Sequence, residues 1–385
     1  MIDTLPVELT SHILQFACTD DGSTARALAR VSAYMNEVVK PWMYQSIAVA
    51  GHTQIATLER ILSRTPAHAR RTRAICIADT SRTADAAKLL VPHLTRLLAL
   101  LSPAVEVLAL ECAHPRTSSV LISFLFGLHH PRLRTLAVRG YYPFPHLPRA
   151  MPRLTHLHLS GNRNPHGLLM AGGLEAAFPS LTHLRVSGLQ GARTFARELA
   201  EAVEGAEGSG DGGLWASKLP PSVQHIIIQL NAPLVVLGQD PAKPSAHDYM
   251  LETLHTLAAT HAEGKEDAIH CVLLPSPTEI VSAEPDERWR ADWRDSLEGG
   301  EGCCNVMVYH NFVLVDSSLP LITHMSAFYD WSIAQAASGL LRPAEVCSAR
   351  TAKQTPTYLG CAHGIYDTDE FTWVNDLAPT SIDDA

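Results

Sequence analysis

Apolar residues follow two different rhythms along this chain. In the first forty residues they recur three or four positions apart, as on a helix; from residue 72 the recurring phrase is L-x-x-L-x-L, in which aliphatics alternate as on a strand. The opening stretch starts at Thr4-Leu5-Pro6, with Thr4 or Leu5 as cap. Proline is tolerated in the first helical turn because its missing N–H would have had no partner. Leu9, Ile13 and Phe16 then form a stripe widened by Leu14 and Ala17. Asp20-Asp21-Gly22 breaks it. A second helix, capped by Ser23 or Thr24, carries Ala27, Leu28 and Val31, and a third runs through Tyr34, Val38 and Val39 to stop at Pro41. Units of about 40 residues or fewer bury their apolar surface poorly and usually need a partner.

The strand phrase appears as "VEVLAL" from 105, "LRTLAV" from 133, "LTHLHL" from 154, "LTHLRV" from 181 and "VQHIII" from 223, with a weaker copy, "TRAICI", from 72. Three copies share a proline lead-in, "HPRL", "MPRL" and "FPSL". Between copies, "TADAAKLLVPHLTRLLALL", "SSVLISFLFGL" and "RTFARELAEAVE" have helical spacing. Each copy therefore predicts a short strand with its aliphatics inward, followed by a helix or loop that returns the chain to an adjacent strand. An ordinary α/β sheet remains the alternative. The Gly-rich acidic segment 204–213 predicts a flexible surface loop. Further on, 234–237 and 269–274 read as strands, and "HDYMLETLHTLAATHAE" and "PDERWRADWRDSLEGG" as helices. In the last of these, acids and arginines four apart suggest a solvated face. "NVMVYHNFVLVD" is strand-forming, and the tail from Ser317 has little periodicity and an acidic end expected to be disordered.

Composition narrows the picture. The chain of 385 residues is 46% hydrophobic and 18% charged, as a packed protein is, and its net charge of −9 gives no reason to expect nucleic acid or an acidic membrane as partner. No basic stretch leads into an apolar run, so no signal peptide is expected; the longest apolar region is interrupted by His93, Arg96 and Glu106 and reads as a core helix leading into a strand. Eight cysteines without a C-x-x-C pair suggest reduced thiols and a cytoplasmic or nuclear location. No nucleophile elbow, P-loop or dinucleotide fingerprint follows a strand. Cys303-Cys304 with His310, and Cys361 with His363, lack the paired spacing of a structural zinc site. The expectation is thus no catalytic residue, no metal and no cofactor.

One group of side chains stands out. Residues flanking the central aliphatic of each phrase face away from the core. With the strands in register, His156, His183 and His225 occupy equivalent outward positions, with His158 and Arg185 at the next and Arg139 on the strand before. Such a patch is either solvated filler or a donor-rich surface for an acidic or phosphorylated target segment.

The N-terminal stretch resembles an F-box: Leu5-Pro6-x-Glu8-Leu9, Ile13-Leu14, Leu28-Ala29-Arg30-Val31-Ser32, Val38-Val39 and the aromatic close Trp42-Met43-Tyr44. With the repeats behind it, the chain over about 1–302 resembles fungal F-box proteins with leucine-rich repeats. It departs from the pattern in having Ala33 where a basic residue is usual, and in a slightly long "CTDDGS" corner. The resemblance implies an α/β architecture of a three-helix F-box (1–46), an irregular leucine-rich-repeat-like solenoid with a parallel row of strands (47–302) and a C-terminal region without assigned role (303–385). It implies a non-catalytic, substrate-recruiting subunit of an SCF-type ubiquitin ligase. Leu5, Pro6, Leu9, Ile13, Leu14, Leu28, Val31 and Val38 would contact a Skp-type adaptor on its cullin scaffold, and the sheet face would hold an unidentified target. The alternatives are an interaction scaffold without a ubiquitin role, and a degenerate α/β enzyme.

Overall fold

The computed structural model describes residues 5–304 except 82, 143–148, 170–172, 208–216, 233–243, 262–268, 275–284 and 301. The chain divides into units 1–314 and 315–385, and every described residue belongs to the first. The expected strands at 234–237 and 305–316, and the tail, lie outside the described residues.

Helices α1 (Val7–Ala17), α2 (Ser23–Leu28) and α3 (Ala33–Val39) open the chain. Pro6 itself is the cap of α1, so the helix begins one step after the sequence suggests. The α1–α2 corner is fixed by Asp20, whose carboxylate accepts hydrogen bonds from Gly22 N, Ser23 Oγ and Thr24 N. Gly22 takes φ 87°, which favours glycine. Partial burial pushes the Asp20 carboxyl up, but these hydrogen bonds outweigh it and hold the pKa below the usual carboxylate value. Ser32 Oγ caps α3 by accepting from Met35 N. Leu14, Cys18, Ala25, Met35, Val39 and Trp42 form a small core of their own, and Trp42 Nε1 donates to Ser11 Oγ at 3.1 Å.

The chain then enters an eight-stranded, wholly parallel sheet whose spatial order β1 to β8 follows the sequence: β1 (Ser46–Ala50), β2 (Ala74–Asp79), β3 (Val107–Cys112), β4 (Thr135–Arg139), β5 (His156–Ser160), β6 (His183–Leu189), β7 (His225–Leu230) and β8 (His270–Leu274). The connections hold α4 (Gly51–Arg64), α5 (Ala84–Leu101), α6 (Pro115–Gly127), α7 (Gly173–Ala177), α8 (Arg193–Glu207) and α9 (Ala246–Thr260). Each L-x-x-L-x-L phrase became a strand. β1 and α4 were not legible, because β1 has only Ile47 and Val49 as large aliphatics. α8 continues to Glu207, which corrects the expected loop start at 204; 208–216 lie outside the described residues.

Strand pleating separates two faces. Ile75, Leu108, Leu136, Leu157, Leu184 and Ile226 point into the main core with the helical layer, all at most 1% exposed. The first row of the opposite face is Ser46, Ala74, Val107, Thr135, His156, His183, His225 and His270, side by side in register. Two residues along, the second row is Ala48, Cys76, Ala109, Ala137, His158, Arg185, Ile227 and Val272. Helix α10 (Pro285–Leu297) and a short 3-10 turn at Gly302–Cys304 pack on this face. At the β1 edge, Ala48 N donates to Asp21 O at 3.3 Å and Ala50 N to Gln54 Oε1 at 3.0 Å.

Candidate functional site

The first candidate surface is the outer side of the N-terminal helices. Leu9 (53% exposed), Ile13 (55%), Phe16 (66%) and Val31 (68%) lie open to solvent, with Leu5 and Val7 alongside. They share α1 and the following turns with Leu14, which is 3% exposed and belongs to the small core. Of the expected contact residues, Leu5, Pro6, Leu9, Ile13 and Val31 are thus exposed. Leu14 is corrected to core, because helical spacing turns it a quarter-circle from Ile13. Leu28 and Val38 are half-buried against that core. Sequence spacing alone did not separate the two sets.

The second candidate is the sheet face. His156, His183 and His225 are in register as expected, and the row gains His270, which follows the first aliphatic of "IHCVLL" by one position where the others follow theirs by two. The rings of His156 and His183 stack with centroids 4.3 Å apart and 9° between planes; His183 and His225 stack at 4.6 Å and 17°; His270 meets His225 edge-on at 5.7 Å. The preceding threonines set their tautomers. Thr155 Oγ1 donates its proton to Arg134 O and Thr182 Oγ1 donates to Thr155 O, so each hydroxyl can only accept from its histidine. Nδ1 of His156 and of His183 therefore carries hydrogen, donated over 3.0 and 2.9 Å, and the neutral His183 keeps its lone pair on Nε2. Burial, and then the neighbouring His156 and His225, bring the His183 pKa down to about 4.

Beside this row the expected donor patch is corrected. His158 and Arg185 are 4% and 3% exposed. His158 Nε2 meets Ser187 Oγ at 2.9 Å, and its ring lies 5.4 Å from Trp289; burial, then Arg185 and Arg139, push its pKa well below the ordinary histidine value. Arg185 holds Cys303 O through Nη1, Gln229 Oε1 at 2.7 Å and Ser187 Oγ at 3.2 Å, so it clamps the 302–304 turn onto the sheet. Arg139 pairs with Glu111 at 3.0 Å, an acid on the same face that the sequence reading left out. The face expected to be open is instead covered over β2–β4. Trp289 and Trp293 of α10 lie on Ala74, Cys76, Ala109 and Ala137, and Arg294 pairs with Asp21 at 3.0 Å. The two tryptophans four apart in "RWRADWR" were the available signal, masked by the charges around them.

Where α1, the first sheet row and the end of α10 meet, a cavity of about 350 Å3 is lined by Phe16, Gln45, Arg73, Glu106, Arg134 and Leu297 among others. Among the described residues, no cluster of three or more histidine, cysteine or acidic side chains is spaced to hold a metal ion, and no helix is long and apolar enough to cross a membrane. No protein-family model matches the chain, and no curated protein or solved structure is similar enough to it to count as a match.

Proposed function

We propose that this chain is a substrate-recruiting subunit of an SCF-type ubiquitin ligase, with its N-terminal helices docked on a Skp-type adaptor and its strand region, read as an irregular leucine-rich-repeat-like solenoid, holding the target. The observation that carries the reading is the set of solvent-exposed Leu5, Leu9, Ile13, Phe16 and Val31 on and beside helices that already possess a core of their own. Large apolar side chains clustered on the surface mark a surface that meets a partner. The sequential strand order supports the repeat reading, since each strand pairs only with the strands next to it in the chain. It also weighs against the enzyme alternative, because a doubly wound sheet binds its ligand where the strand order reverses, and this order does not reverse.

The test is capture of adaptor and cullin by the full chain and by Leu5→Ala with Ile13→Asp. The double variant loses both partners while its circular dichroism and melting temperature stay unchanged, because neither side chain is in the core. Recovery of both partners by the folded double variant refutes the reading.

A further inference from the structure

The covering of part of the sheet face is a single helix on a row of small side chains. Along β1–β4 the second row carries only Ala48, Cys76, Ala109 and Ala137, side chains so short that the face is a shallow trough with no bulk of its own. The bulk comes from α10. Trp289 and Trp293, one turn apart, and the half-buried Leu297 form with these small residues a cluster separate from the main core. The fit is incomplete: a void of about 10 Å3, near the volume of one water, remains beside Ala109, Ala137 and both tryptophans. Both indole N–H groups are buried without a hydrogen-bond partner among the described residues, which weakens the hold. The helix is fastened at two places: by the Arg294–Asp21 pair, half exposed on the arginine side, and past its C-terminal end by the 302–304 turn, where Gly302 N donates to Asp295 Oδ2 and Arg185 holds Cys303 O.

We propose that α10 is the resident occupant of a helix-binding surface, and that a target presents an amphipathic helix with two large aromatic residues four positions apart, followed by a basic residue, which takes its place. The seated α10 shows the chemistry the trough accepts: two aromatic rings for the alanine and cysteine row, and a guanidinium for Asp21. Asp21 belongs to the corner of the N-terminal helices, so the seat is completed by the docking unit itself. This inference rests on reading the strand region as target-recognising. Its test leaves the adaptor out, so failure here does not touch adaptor binding.

The experiment uses a fluorescent peptide of residues 285–300 and the full chain. Wild type, whose own α10 fills the seat, binds it at least about tenfold more weakly than the variant Trp289→Ser with Trp293→Ser, and a peptide with both tryptophans replaced by serine binds neither. Cys76, 1% exposed beneath α10, reports the same event. Its alkylation, read by mass spectrometry, speeds up at least about tenfold in the variant and slows again with saturating peptide. Equal peptide affinity in variant and wild type, or an unchanged Cys76 rate, overturns the proposal. Should the double serine variant fail to fold, Arg294→Glu gives the milder arm. Breaking a half-exposed pair raises Cys76 alkylation and peptide affinity about two- to fivefold, and Asp21→Arg in the same chain restores both. Unchanged alkylation in Arg294→Glu overturns the proposal equally.

Discussion

The two faces of the sheet come from the same eight strands and could hardly differ more. On one, Leu, Ile and Val from every strand interdigitate with the helical layer, and many of them are wholly buried. On the other, the same strands present alanine and cysteine at one end, stacked histidines and a clamped arginine at the other, and a single amphipathic helix lies across part of it. Alternation along a strand makes the faces chemically independent. The first is committed to folding. The second can hold polar, titratable and replaceable contacts without loss of the core.

The sharpest way to break this contrast is to move damage between faces. Leu157→Ala, at 0% exposure in the main core, costs about 2–5 kcal/mol in urea unfolding, whereas a cost below 1 kcal/mol would show that the core face is loosely packed.

Acid separates the faces next. The His183 pKa lies near 4, against 6.5 for an ordinary histidine, so between those values the unfolded chain binds the proton that the folded chain refuses. The sign follows: stability is full above about pH 6.5, falls as pH drops, and the loss is complete below about pH 4. After allowance for solvent screening at this half-buried ring, the loss is of the order of 2 kcal/mol. His183→Gln removes much of that slope in denaturant titrations repeated at each pH, and an unaltered slope would place the proton uptake elsewhere. The smallest effect belongs to Val272→Ala, half-buried against Cys303 and Cys304 on the second face. It costs about 1 kcal/mol, and a loss as large as that of Leu157→Ala would erase the distinction between the faces.

Particular residues show what was legible in the sequence and what was not. The strands from β2 onward announced themselves because their inward positions repeat as aliphatics, and the histidine row followed from the fixed offset of His156, His183 and His225. β1 did not, since a strand of Ser, Ile, Ala, Val and Ala carries little periodic contrast. The burial of His158 and Arg185 was hidden for another reason. It depends on α10 and the 302–304 turn, which return from more than a hundred residues away, and local alternation says nothing about what later covers a face. In α1 the stripe was visible, but not that Leu14 turns inward while Ile13 stays in solvent; that division depends on where α2 and α3 pack.

The corner at Asp20–Asp21–Gly22 has a consequence for the behaviour of the chain at high concentration. β1 is an outermost strand, and a parallel sheet that ends in unpaired N–H groups offers a template on which other molecules can stack strand to strand. Here the outward N–H of Ala48 is taken by Asp21 O and that of Ala50 by the side chain of Gln54. These two backbone donors, which could otherwise seed edge-to-edge aggregation, are thus spent inside the molecule. The same few residues that join the helices to the sheet also act as a guard against fibre growth from that end.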